Sequence, residues 1–550
     1  MSPILFRCDA SLSIGSGHVM RCRTLARELQ RRGAEIVFLC RRQPGDLIDL
    51  LEQEFLVLAL PEQPLAACEG LEERQLYGAW LGCSQAHDAA QCLEALAGAG
   101  SSSASWLVVD HYGLDASWES QLLEGLGGDP SPKLLVIDDL ADRPHHANLL
   151  LDQNFFGEAT DRRYQGLVPP QCRQLLGPHY ALLGPEYALL HPLVPARTEL
   201  RRVLVFFGGV DPTNLTGRAL EALMAPSLAH LAVDVVLGVQ SPHRQLVAKL
   251  AARRPHTTLH EPLPSLAGLI ARADLAIGAG GVTTWERACL GLPSLVVAIA
   301  ANQLPFAEAL DQAGTLQLLG EAGSITPEQI RAALQTRSAE RFDTAAGSWL
   351  TDGWGAPRLV TTMLGPQGAI SLRPARSADE ALLLRWANDP QVRANSFSPV
   401  PINPADHHHW FQQGLENPNR LLLIATATDG CLIGQIRFDR ELASAEGGAS
   451  EATVDLSLDR CARGHGLAAE LVRLGLQAME QRWGQTTDAV ADALSSNTAS
   501  NVCFARAGFT PEAVSAAPPP TQAVNRWRWR PAVSPCSAMV AAGSMLLCQS

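Results

Sequence analysis

The sequence predicts an α/β protein in which two tandem Rossmann-like domains precede a smaller α+β domain. Short, fully apolar runs alternate with amphipathic helical patterns over residues 1–190, and a second series of the same kind begins at Arg202. Such runs are typical of parallel strands that helices cover on both faces. From Ile370 the pattern changes to neighbouring strand pairs of the hairpin kind. We therefore expect domains at residues 1–195, 196–345 and 369–530, a linker at 346–368 and an irregular tail at 531–550.

The first two domains are predicted strand by strand from these apolar runs. The first domain has candidate strands at Ile4–Phe6, Ile36–Leu39, Trp106–Val109, Leu134–Ile137 and Leu149–Leu151. After a junction near Pro192–Pro195, the second has candidate strands at Val203–Phe207, Val233–Leu237, Leu275–Ile277 and Ser294–Ile299, with helices at Leu215–Met224 and Thr284–Leu290. Ligands of doubly wound sheets bind beyond the carboxyl ends of the strands, so the two sheets predict a cleft between facing loops.

The third domain is predicted to mix antiparallel strands with helices. Its candidate elements are a helix near Ala381–Asn388, strands at Leu421–Ala427, Leu432–Asp439 and Thr453–Leu458, a helix from Gly464 to about Gln481, a strand at Asp488–Asp492, a helix at Ala499–Ala507 and a strand near Asn525–Trp529. Residues 511–522 are rich in Pro, Ala and Ser and are expected to form a loop.

Composition excludes several classes of protein. The net charge of −13 argues against a general nucleic-acid surface, although it leaves room for a local anion site. The 13 cysteines are scattered without a Cys-x-x-Cys pair, which favours a reducing cytoplasm over a disulfide framework or structural zinc. The first residues carry Asp9 and no long apolar run, so no signal peptide is expected. No stretch approaches the ~20 apolar residues of a membrane span.

The most informative stretch is the turn Gly15-Ser16-Gly17-His18, between the first strand and its helix. Glycines at such a turn let the backbone pass close to a ligand, and the helix start offers free N–H groups to an anion. Histidine, with an unperturbed pKa of ~6.5, is suited to proton transfer near neutrality. Taken alone, the pattern also fits a tight turn with a helix-capping histidine.

Two further glycine loops follow strands of the second domain. They are Gly208 to Asn214 and Gly278 to Glu286, and each leads into a helix as loops that hold a pyrophosphate do. Glu286 is a candidate acceptor for the two hydroxyls of a ribose, since a diol presents two donors. Either loop alone also fits an ordinary tight turn, whereas both loops facing the His18 turn favour a nucleotide cleft.

A series of short motifs in the first two domains matches one known family. The chain resembles the UDP-sugar hydrolases of pseudaminic acid biosynthesis, which act on UDP-2,4-diacetamido-2,4,6-trideoxy-β-L-altropyranose. The matching segments, in order, are Arg7-x-Asp9, Ile14-Gly15-x-Gly17-His18, Asp110-His111-Tyr112-Gly113, Arg143-Pro144-His145-His146, Tyr164-x-Gly166-Leu167-Val168-Pro169, and Gly278 to Pro293 with Asn302-Gln303. The resemblance implies the two-domain glycosyltransferase-B-like architecture, related to the glycosyltransferase that makes lipid II.

The resemblance also implies site residues. His18 would be the general base or would position the attacking water, and Tyr112 and Asn302 would line the sugar site. Substrate binding would involve Gly17, Gly209, Gly280, Gly281, Thr283, Thr284, Glu286 and Gln303. No metal is expected. Release of UDP to water would need only a water to orient and deprotonate, together with N–H groups that stabilise the leaving phosphate.

Alternatives remain for several of these residues. Tyr112 also fits a core aromatic residue, and Asn302 fits a helix cap. The side chains of His111, His145 and His146 are expected to be mainly structural. Asp138 and Asp139 fit either a catalytic or a loop-stabilising pair, and hydrogen bonding within the loop is favoured. The whole cleft also fits a UDP-sugar glycosyltransferase, because the His18 turn and Glu286 are common to both. The Asp110-His111-Tyr112 and Arg143-Pro144-His145 segments favour the hydrolase.

The third domain resembles the GCN5-related N-acetyltransferases (GNAT). Arg373-Pro374, Trp386-x-Asn388-Asp389-Pro390 and Asn497-x-x-Ser500-Asn501 through Phe509 match that family, as does the glycine loop at Cys461–Ala468. The resemblance implies acetyl-CoA as co-substrate, held by Arg463, Gly464, His465, Gly466, Leu467, Ala468 and Asn497.

Direct attack of an amine on the thioester is the implied reaction. Asp455 is the candidate base or amine-binding group, with a structural strand acid as the alternative. Many members of the family carry a tyrosine where Phe504 stands, so another group or water must protonate the thiolate, or this domain is slow or inactive. The run His407-His408-His409 does not converge on one metal ion, because three successive helical positions point in different directions.

The two resemblances fit one reaction sequence. A similar acetyltransferase modifies the 4-amino group of the UDP-sugar that becomes the substrate of the hydrolase. We therefore expect a bifunctional nucleotide-sugar enzyme whose partners are a UDP-amino-sugar and acetyl-CoA. The alternatives are an acetyltransferase for another amino sugar or a protein N-terminus, and a domain that only binds acetyl-CoA.

Overall fold

The computed structural model describes residues 2–63, 73–100, 103–238, 241–339, 347, 349–442, 450–484, 487–512 and 523–531. The predicted loop at 511–522 and the predicted tail at 531–550 lie almost wholly outside these residues. The chain forms two compact units, Met1–Val360 and Thr361–Ser550. No helix among the described residues is long and apolar enough to cross a membrane.

The amino-terminal half of the first unit is built on a seven-stranded parallel sheet. Its strands are β1 Ile4–Cys8, β2 Ile36–Arg41, β3 Leu56–Leu60, β4 Trp106–Asp110, β5 Lys133–Ile137, β6 Leu149–Asp152 and β7 Arg173–Leu176. Its helices are α1 Gly17–Arg31, α2 Ile48–Leu51, α3 Glu73–Trp80, α4 Gln85–Gly98, α5 Ala116–Leu126 and α6 Pro185–Leu190. The spatial order is β3-β2-β1-β4-β5-β6-β7. β1 and β4 are therefore neighbours, and their carboxyl ends lie side by side.

The other half of the first unit repeats this plan with six parallel strands. These are β8 Arg202–Phe206, β9 Ala232–Val236, β10 Thr257–His260, β11 Leu275–Ala279, β12 Ser294–Ala298 and β13 Gln317–Glu321. The accompanying helices are α7 Leu215–Leu223, α8 Arg244–Arg253, α9 Ala267–Arg272, α10 Thr283–Cys289, α11 Leu304–Gln312 and α12 Pro327–Ala339. The order β10-β9-β8-β11-β12-β13 again places the first strand at the crossover point. The predicted pair of Rossmann-like domains is confirmed.

The residues predicted as a linker instead contain helix α13, Gly355–Leu364. Arg358, which is fully buried, donates to both carboxylate oxygens of Asp352 at 2.6 and 2.7 Å. Gly353 and Gly355 approach the backbone near Ala188 and Ala181 so closely that a Cβ would lie only 2.5 and 2.2 Å from it. The structure thus differs from the predicted linker, because this segment packs as part of the first unit as far as Val360.

The second unit is a mixed sheet with helices. Its strands are β14 Ser371–Pro374, β15 Arg420–Thr426, β16 Leu432–Glu441, β17 Ser450–Leu458, β18 Thr487–Leu494, β19 Thr510–Glu512 and β20 Val524–Trp529. Its helices are α14 Glu380–Ala387, α15 Pro390–Ala394, α16 Pro404–Glu416, α17 Ala468–Trp483 and α18 Thr498–Arg506. All neighbours in the sheet are antiparallel except β17 and β18, which run parallel. The predicted α+β domain is confirmed.

A buried ion-pair cluster holds the first sheet to its helices. Asp88 of α4 accepts from Arg7 of β1 at 2.7 Å, from Arg41 of β2 at 2.5 Å and from the indole N–H of Trp118 at 3.0 Å. All four residues are fully buried. Two neighbouring strands each direct an arginine to the same helix, where the Asp88 carboxylate pairs with both. Arg7 also pairs with the buried Asp9 at 2.6 Å.

Loss of this carboxylate is expected to destabilise the first unit strongly. Asp88→Asn leaves the buried Arg41 guanidinium without an anion and Arg7 with Asp9 alone, which costs about 3–5 kcal/mol of unfolding free energy. Urea unfolding followed by tryptophan fluorescence measures the change. Asp49→Asn removes a carboxylate whose side chain is 84% exposed and is the matched control, with an expected change of ~0.5 kcal/mol or less. Equal effects of the two variants would contradict the importance of the cluster.

Candidate functional site

The turn between β1 and α1 places His18 at the carboxyl edge of the first sheet. Gly15 has a φ of +82°, a left-handed conformation that favours glycine, and its N–H donates to Ser11 O at 2.8 Å. Helix α1 begins at Gly17, so His18 lies in its first turn and is only 6% exposed. The tight turn therefore fixes the histidine instead of leaving it on a free loop.

His18 is oriented by a carboxylate from the neighbouring strand. Its Nδ1 lies 2.5 Å from Asp110 Oδ1 at the end of β4. Arg21, one turn further along α1, donates to both Asp110 oxygens at 2.6 and 2.7 Å. Burial alone would raise the pKa of Asp110, but Arg21 and His18 hold it well below its usual range. The ionised carboxylate can accept a hydrogen bond from Nδ1–H, and in that tautomer Nε2 is the free proton acceptor.

Tyr112 and Asn302 extend this arrangement across the cleft. The Tyr112 hydroxyl donates to Asp139 Oδ2 at 2.7 Å, and its ring meets the His18 ring edge-on with 4.5 Å between the centroids. Arg21 also donates to Asp139, at 2.7 Å. Asn302, from the other half of the unit, donates from Nδ2 to the Tyr112 hydroxyl at 3.3 Å. The structure thus brings together the three residues expected from the sequence to form the first reaction centre.

The glycine loops of the two halves meet near this centre. A Cβ on Gly17 would lie 3.8 Å from Val282 Cγ2, and one on Gly209 would lie 3.9 Å from Ser16 Oγ. Gly280 and Gly281 lie against the Gln303 side chain, whose Oε1 accepts from Ile299 N at 3.1 Å. The three loops therefore line one cleft, and the amide of Gln303 supports a loop from within it.

Helix α10 contributes the side chains expected to hold a ribose and phosphates. Glu286 Oε2 is buried and makes no well-formed hydrogen bond among the described residues, although the Tyr187 hydroxyl lies near the carboxyl. Burial raises the pKa of this carboxyl to about 7, against the opposing effects of Tyr187 and Arg287. Thr284 is buried, and its hydroxyl accepts from Arg287 at 3.1 Å, so this side chain is engaged inside the loop. Thr283 begins the helix and is half-buried. The unpartnered Glu286 oxygen is the group of this set most suited to a ligand.

The other polar residues of the first sheet edge have internal partners. Asp138 accepts from the backbone N–H groups of Leu140 and Ala141 at 3.2 and 2.9 Å, as a loop-stabilising acid does. His145 lies 2.6 Å from Glu119, and both are buried. Burial lowers the pKa of His111 to about 4, so that this imidazole is neutral near pH 7. These side chains support the loops around the cleft.

In the second unit, the glycine loop before α17 leaves its backbone accessible. Gly464 and Gly466 have φ values of +83° and +76°, and both are exposed together with His465. Leu467 is the N-cap of α17, which begins at Ala468. The Arg463 guanidinium, in contrast, donates to Leu458 O at 2.9 Å and to Asp389 at 3.0 Å. Arg463 thus anchors the loop through its side chain, and the loop offers backbone N–H groups to a ligand.

Strands β17 and β18 separate next to this loop. Their register runs only from Ser450↔Thr487 to Thr453↔Val490, although β17 continues to Leu458. On its other side β17 stays paired with β16 as far as Leu458. The last five residues of β17 thus have no partner on the β18 side among the described residues, which leaves a cleft edge where an acyl group can hydrogen-bond.

A cavity of about 440 Å³ opens beside the same end of β17. Asp455, Leu456 and Ser457 line it, and the Asp455 carboxylate lies 3.6 Å from Arg437 Nη2. The other titratable side chains that line it are those of Arg393, Asp406, His407 and Arg437. The candidate Asp455 is therefore placed beside a cavity large enough for a small substrate.

Asn497 and Phe504 lie on the far side of this region. Asn497 caps α18, accepting from Ser500 N at 3.2 Å and donating to its Oγ at 2.8 Å. Phe504 is 3% exposed and packs against Phe509. No tyrosine hydroxyl is present at this position. Among the described residues no group of three or more His, Cys, Asp or Glu side chains is arranged to hold a metal ion.

Sequence reasoning missed the roles of Asp110, Arg21 and Asp139. Asp110 was noted within a motif, but its contact with His18 joins residues 92 positions apart. The available signal was its position directly after a buried strand, at the edge where the His18 turn also ends. Arg21 lies one turn after His18, and that spacing puts both on one face of α1.

Comparisons with known proteins agree with the two-part organisation. Residues 370–510 match the family model of the acetyltransferase (GNAT) domain. The spore coat polysaccharide biosynthesis protein SpsG of Bacillus subtilis is 25% identical over 211 residues, 38% of this chain and 61% of that protein. The UDP-2,4-diacetamido-2,4,6-trideoxy-beta-L-altropyranose hydrolase of Campylobacter jejuni is 27% identical over 234 residues, 42% of this chain and 69% of that protein.

Among solved structures, MurG of Acinetobacter baumannii aligns with a TM-score of 0.45 at 15% identity, over 66% of this chain and 99% of that one. The match thus covers less than two thirds of the length of SpsG and slightly more than two thirds of the length of the hydrolase. One polypeptide therefore combines an acetyltransferase (GNAT) domain with similarity to a UDP-sugar hydrolase.

Proposed function

We propose that the first unit hydrolyses UDP-2,4-diacetamido-2,4,6-trideoxy-β-L-altropyranose to UDP and the free sugar, as part of pseudaminic acid biosynthesis. The observation that carries this proposal is the His18–Asp110 pair at 2.5 Å, next to Tyr112 and Asn302 in a cleft lined by glycine loops. The similarity to a UDP-sugar hydrolase supports the same substrate class. A reducing cytoplasm is part of the proposal, supported by the ten described cysteines, all free thiols.

The proposed reaction is a single displacement at the anomeric carbon. His18 Nε2 takes a proton from water as the water oxygen bonds to C1, and the C1–O bond breaks with its electron pair going to the β-phosphate of UDP. Attack from the face opposite UDP inverts the configuration. The Asp110 carboxylate stabilises the imidazolium that forms, and Arg21 keeps this carboxylate ionised. Tyr112 and Asn302 would contact the sugar.

The nucleotide would be held by the second half of the unit. Glu286 would accept from the two ribose hydroxyls through its unpartnered oxygen. Gly17, Gly209, Gly281 and Thr283 would offer backbone N–H groups to the diphosphate, which disperse the charge that develops on the leaving group. Gly280, whose N–H donates to Val297 O at 3.3 Å, would let the backbone approach the ligand closely. Thr284 and Gln303 would act by shaping the loop, because both side chains have partners within it.

The second unit is proposed to transfer the acetyl group of acetyl-CoA to an amine, most specifically the 4-amino group of the UDP-sugar precursor. The exposed glycine loop at Gly464–Gly466 and the open edge of β17 support binding of acetyl-CoA. The cavity beside Asp455 carries two aspartates and two arginines. An amine that belongs to an anionic molecule matches this mixture better than a polycation does. Acetylation would then supply the substrate of the first unit.

Removal of the proposed base should stop hydrolysis selectively. His18→Ala and Asp110→Asn are expected to lower kcat for UDP release by ~10²–10⁴-fold, because the water loses its proton acceptor or that acceptor loses its orientation. The KM for the UDP-sugar and the acetyl transfer rate should change little. A coupled assay of UDP release measures the first activity, and thiol release from acetyl-CoA measures the second. His146→Ala, an exposed histidine of the same half, is the control. Normal hydrolysis by His18→Ala would rule out the assigned base.

The order of the two reactions gives a second prediction. With the UDP-linked 4-amino sugar as the starting compound, UDP release by the full chain should depend on acetyl-CoA, since the hydrolase needs the acetylated product. The measurement compares UDP release with and without acetyl-CoA. Equal UDP release with and without acetyl-CoA would contradict the proposed order of the two reactions. UDP release that requires an added acceptor sugar would identify a glycosyltransferase.

Binding of UDP should depend on the ionisation of Glu286. A carboxylate that accepts from the ribose diol must be charged, and burial raises its pKa to about 7 in the free protein. The dissociation constant of UDP should therefore rise as the pH falls below about 7, by up to ~10-fold per pH unit. Calorimetric titrations with wild type and Glu286→Gln separate this effect from titration of the phosphate, which both proteins experience alike. Parallel pH profiles for the two proteins would contradict the ribose contact.

A further inference from the structure

One side of the second-unit cavity is formed by residues to which the sequence assigned no function. His407 of α16 lines the cavity together with Asp455 and Ser457 of β17. These two residues belong to the part of β17 that is no longer paired with β18, next to the open strand edge where the thioester is proposed to bind. The imidazole and the proposed reaction centre thus border the same cavity.

His407 differs from the two histidines that follow it. His407 is 3% exposed, and its Nδ1 is buried without a hydrogen-bond partner among the described residues. Its ring packs near Trp410 and Phe411, with centroid distances of 5.4 and 6.0 Å. His408 and His409 are exposed and bond to Glu380 and Gln413 on the helix surface. Only one member of the run is therefore directed to the cavity.

The surroundings of His407 favour a neutral imidazole. Burial lowers its pKa below the usual value, and His408 acts in the same direction while Glu380 opposes both. Four further charged side chains line the same cavity, two acids and two bases: Asp406, Asp455, Arg393 and Arg437. Their charges balance. An imidazole that stays neutral near pH 7 can accept a proton, whereas an imidazolium cannot.

We propose that His407 is the general base of acetyl transfer, taking a proton from the acceptor ammonium while Asp455, which lines the same cavity, binds that amine. This inference rests on the proposed acetyltransferase activity and changes the expected role of Asp455 from base to amine-binding group. Asp455 is suited to binding the amine because its side chain is 54% exposed and its carboxylate already lies 3.6 Å from the Arg437 guanidinium.

The proton and electron balance is complete with acetyl-CoA as the only co-substrate. His407 removes one proton from the ammonium, which gives a neutral amine with a free electron pair. The nitrogen bonds to the thioester carbonyl carbon, and collapse of the tetrahedral intermediate breaks the C–S bond with its electron pair going to sulfur. The second proton leaves the nitrogen and protonates the thiolate. The products are the amide, CoA and a proton, which His407 releases to solvent.

Chemical rescue distinguishes this role from a structural one. In the full chain, His407→Ala should lower kcat of acetyl transfer by ~100-fold or more near pH 7, and added imidazole should restore at least ~10-fold of it by entering the vacated space. The loss should shrink as the pH approaches the pKa of the amine, where no base is needed. His409→Ala is the matched control and should match wild type, also with imidazole. A loss in His407→Ala with unchanged binding of CoA and no rescue at any imidazole concentration overturns the proposal.

Two further measurements keep the outcomes distinct. A UDP-linked 4-amino sugar, kanamycin and spermidine serve as amine probes. Transfer to any of them that His407→Ala leaves intact overturns the role of His407 alone, and no transfer by wild type to any of them overturns the proposed activity and this role together. An ¹⁵N-histidine NMR titration of the full chain, assigned with His407→Gln, should show a neutral His407 imidazole at neutral pH. A protonated imidazole there contradicts the proposal without reference to the acceptor.

Discussion

The arrangement of the first unit depends on one carboxylate, that of Asp110. It accepts hydrogen bonds from two guanidinium nitrogens of Arg21 and contacts Nδ1 of His18. The same carboxylate therefore connects helix α1 to strand β4 and orients the imidazole. A fully buried carboxylate is costly unless it is charge-compensated, and Arg21 provides that compensation. The Arg21 guanidinium also donates to Asp139, and Asp139 accepts from the Tyr112 hydroxyl. Since Asn302 of the other half donates to that same hydroxyl, the hydrogen-bond network extends across both halves of the unit. Structural and chemical requirements thus meet at one group.

The two units use different means to make a proton acceptor. In the first, an ionised aspartate engages Nδ1 of His18 and leaves Nε2 as the nitrogen that can accept a proton. In the second, His407 is kept neutral by burial, with its Nδ1 unpartnered among the described residues. The first design supports the imidazolium that forms during the reaction, which suits deprotonation of water, a very weak acid. The second suits an ammonium group, which gives up its proton more readily.

The sequence predicted the central strands of both parallel sheets but not all of their edges. The central residues of β1, β4, β8 and β11 are apolar because these strands are buried on both faces, and the charged residues Arg7, Asp110 and Arg202 lie toward their ends. β3, β7, β10 and β13 lie at the sheet edges and are partly exposed. Polar residues interrupt the apolar pattern in β7, β10 and β13, whereas β3 is apolar throughout and was not predicted. At the site, the His18 turn was found because its residues are consecutive. The Asp110 partner and the Asp88 cluster were not, because they join segments that only the strand order brings together.

The central claim is that a water held by His18 attacks the anomeric carbon of a UDP-sugar. Hydrolysis in ¹⁸O-labelled water, followed by mass spectrometry of both products, tests it most directly. The account predicts one ¹⁸O atom at the C1 hydroxyl of the released sugar and none in UDP, with the label appearing at a rate that Asp110→Asn reduces. Label in the β-phosphate of UDP would show attack at phosphorus and would contradict the account.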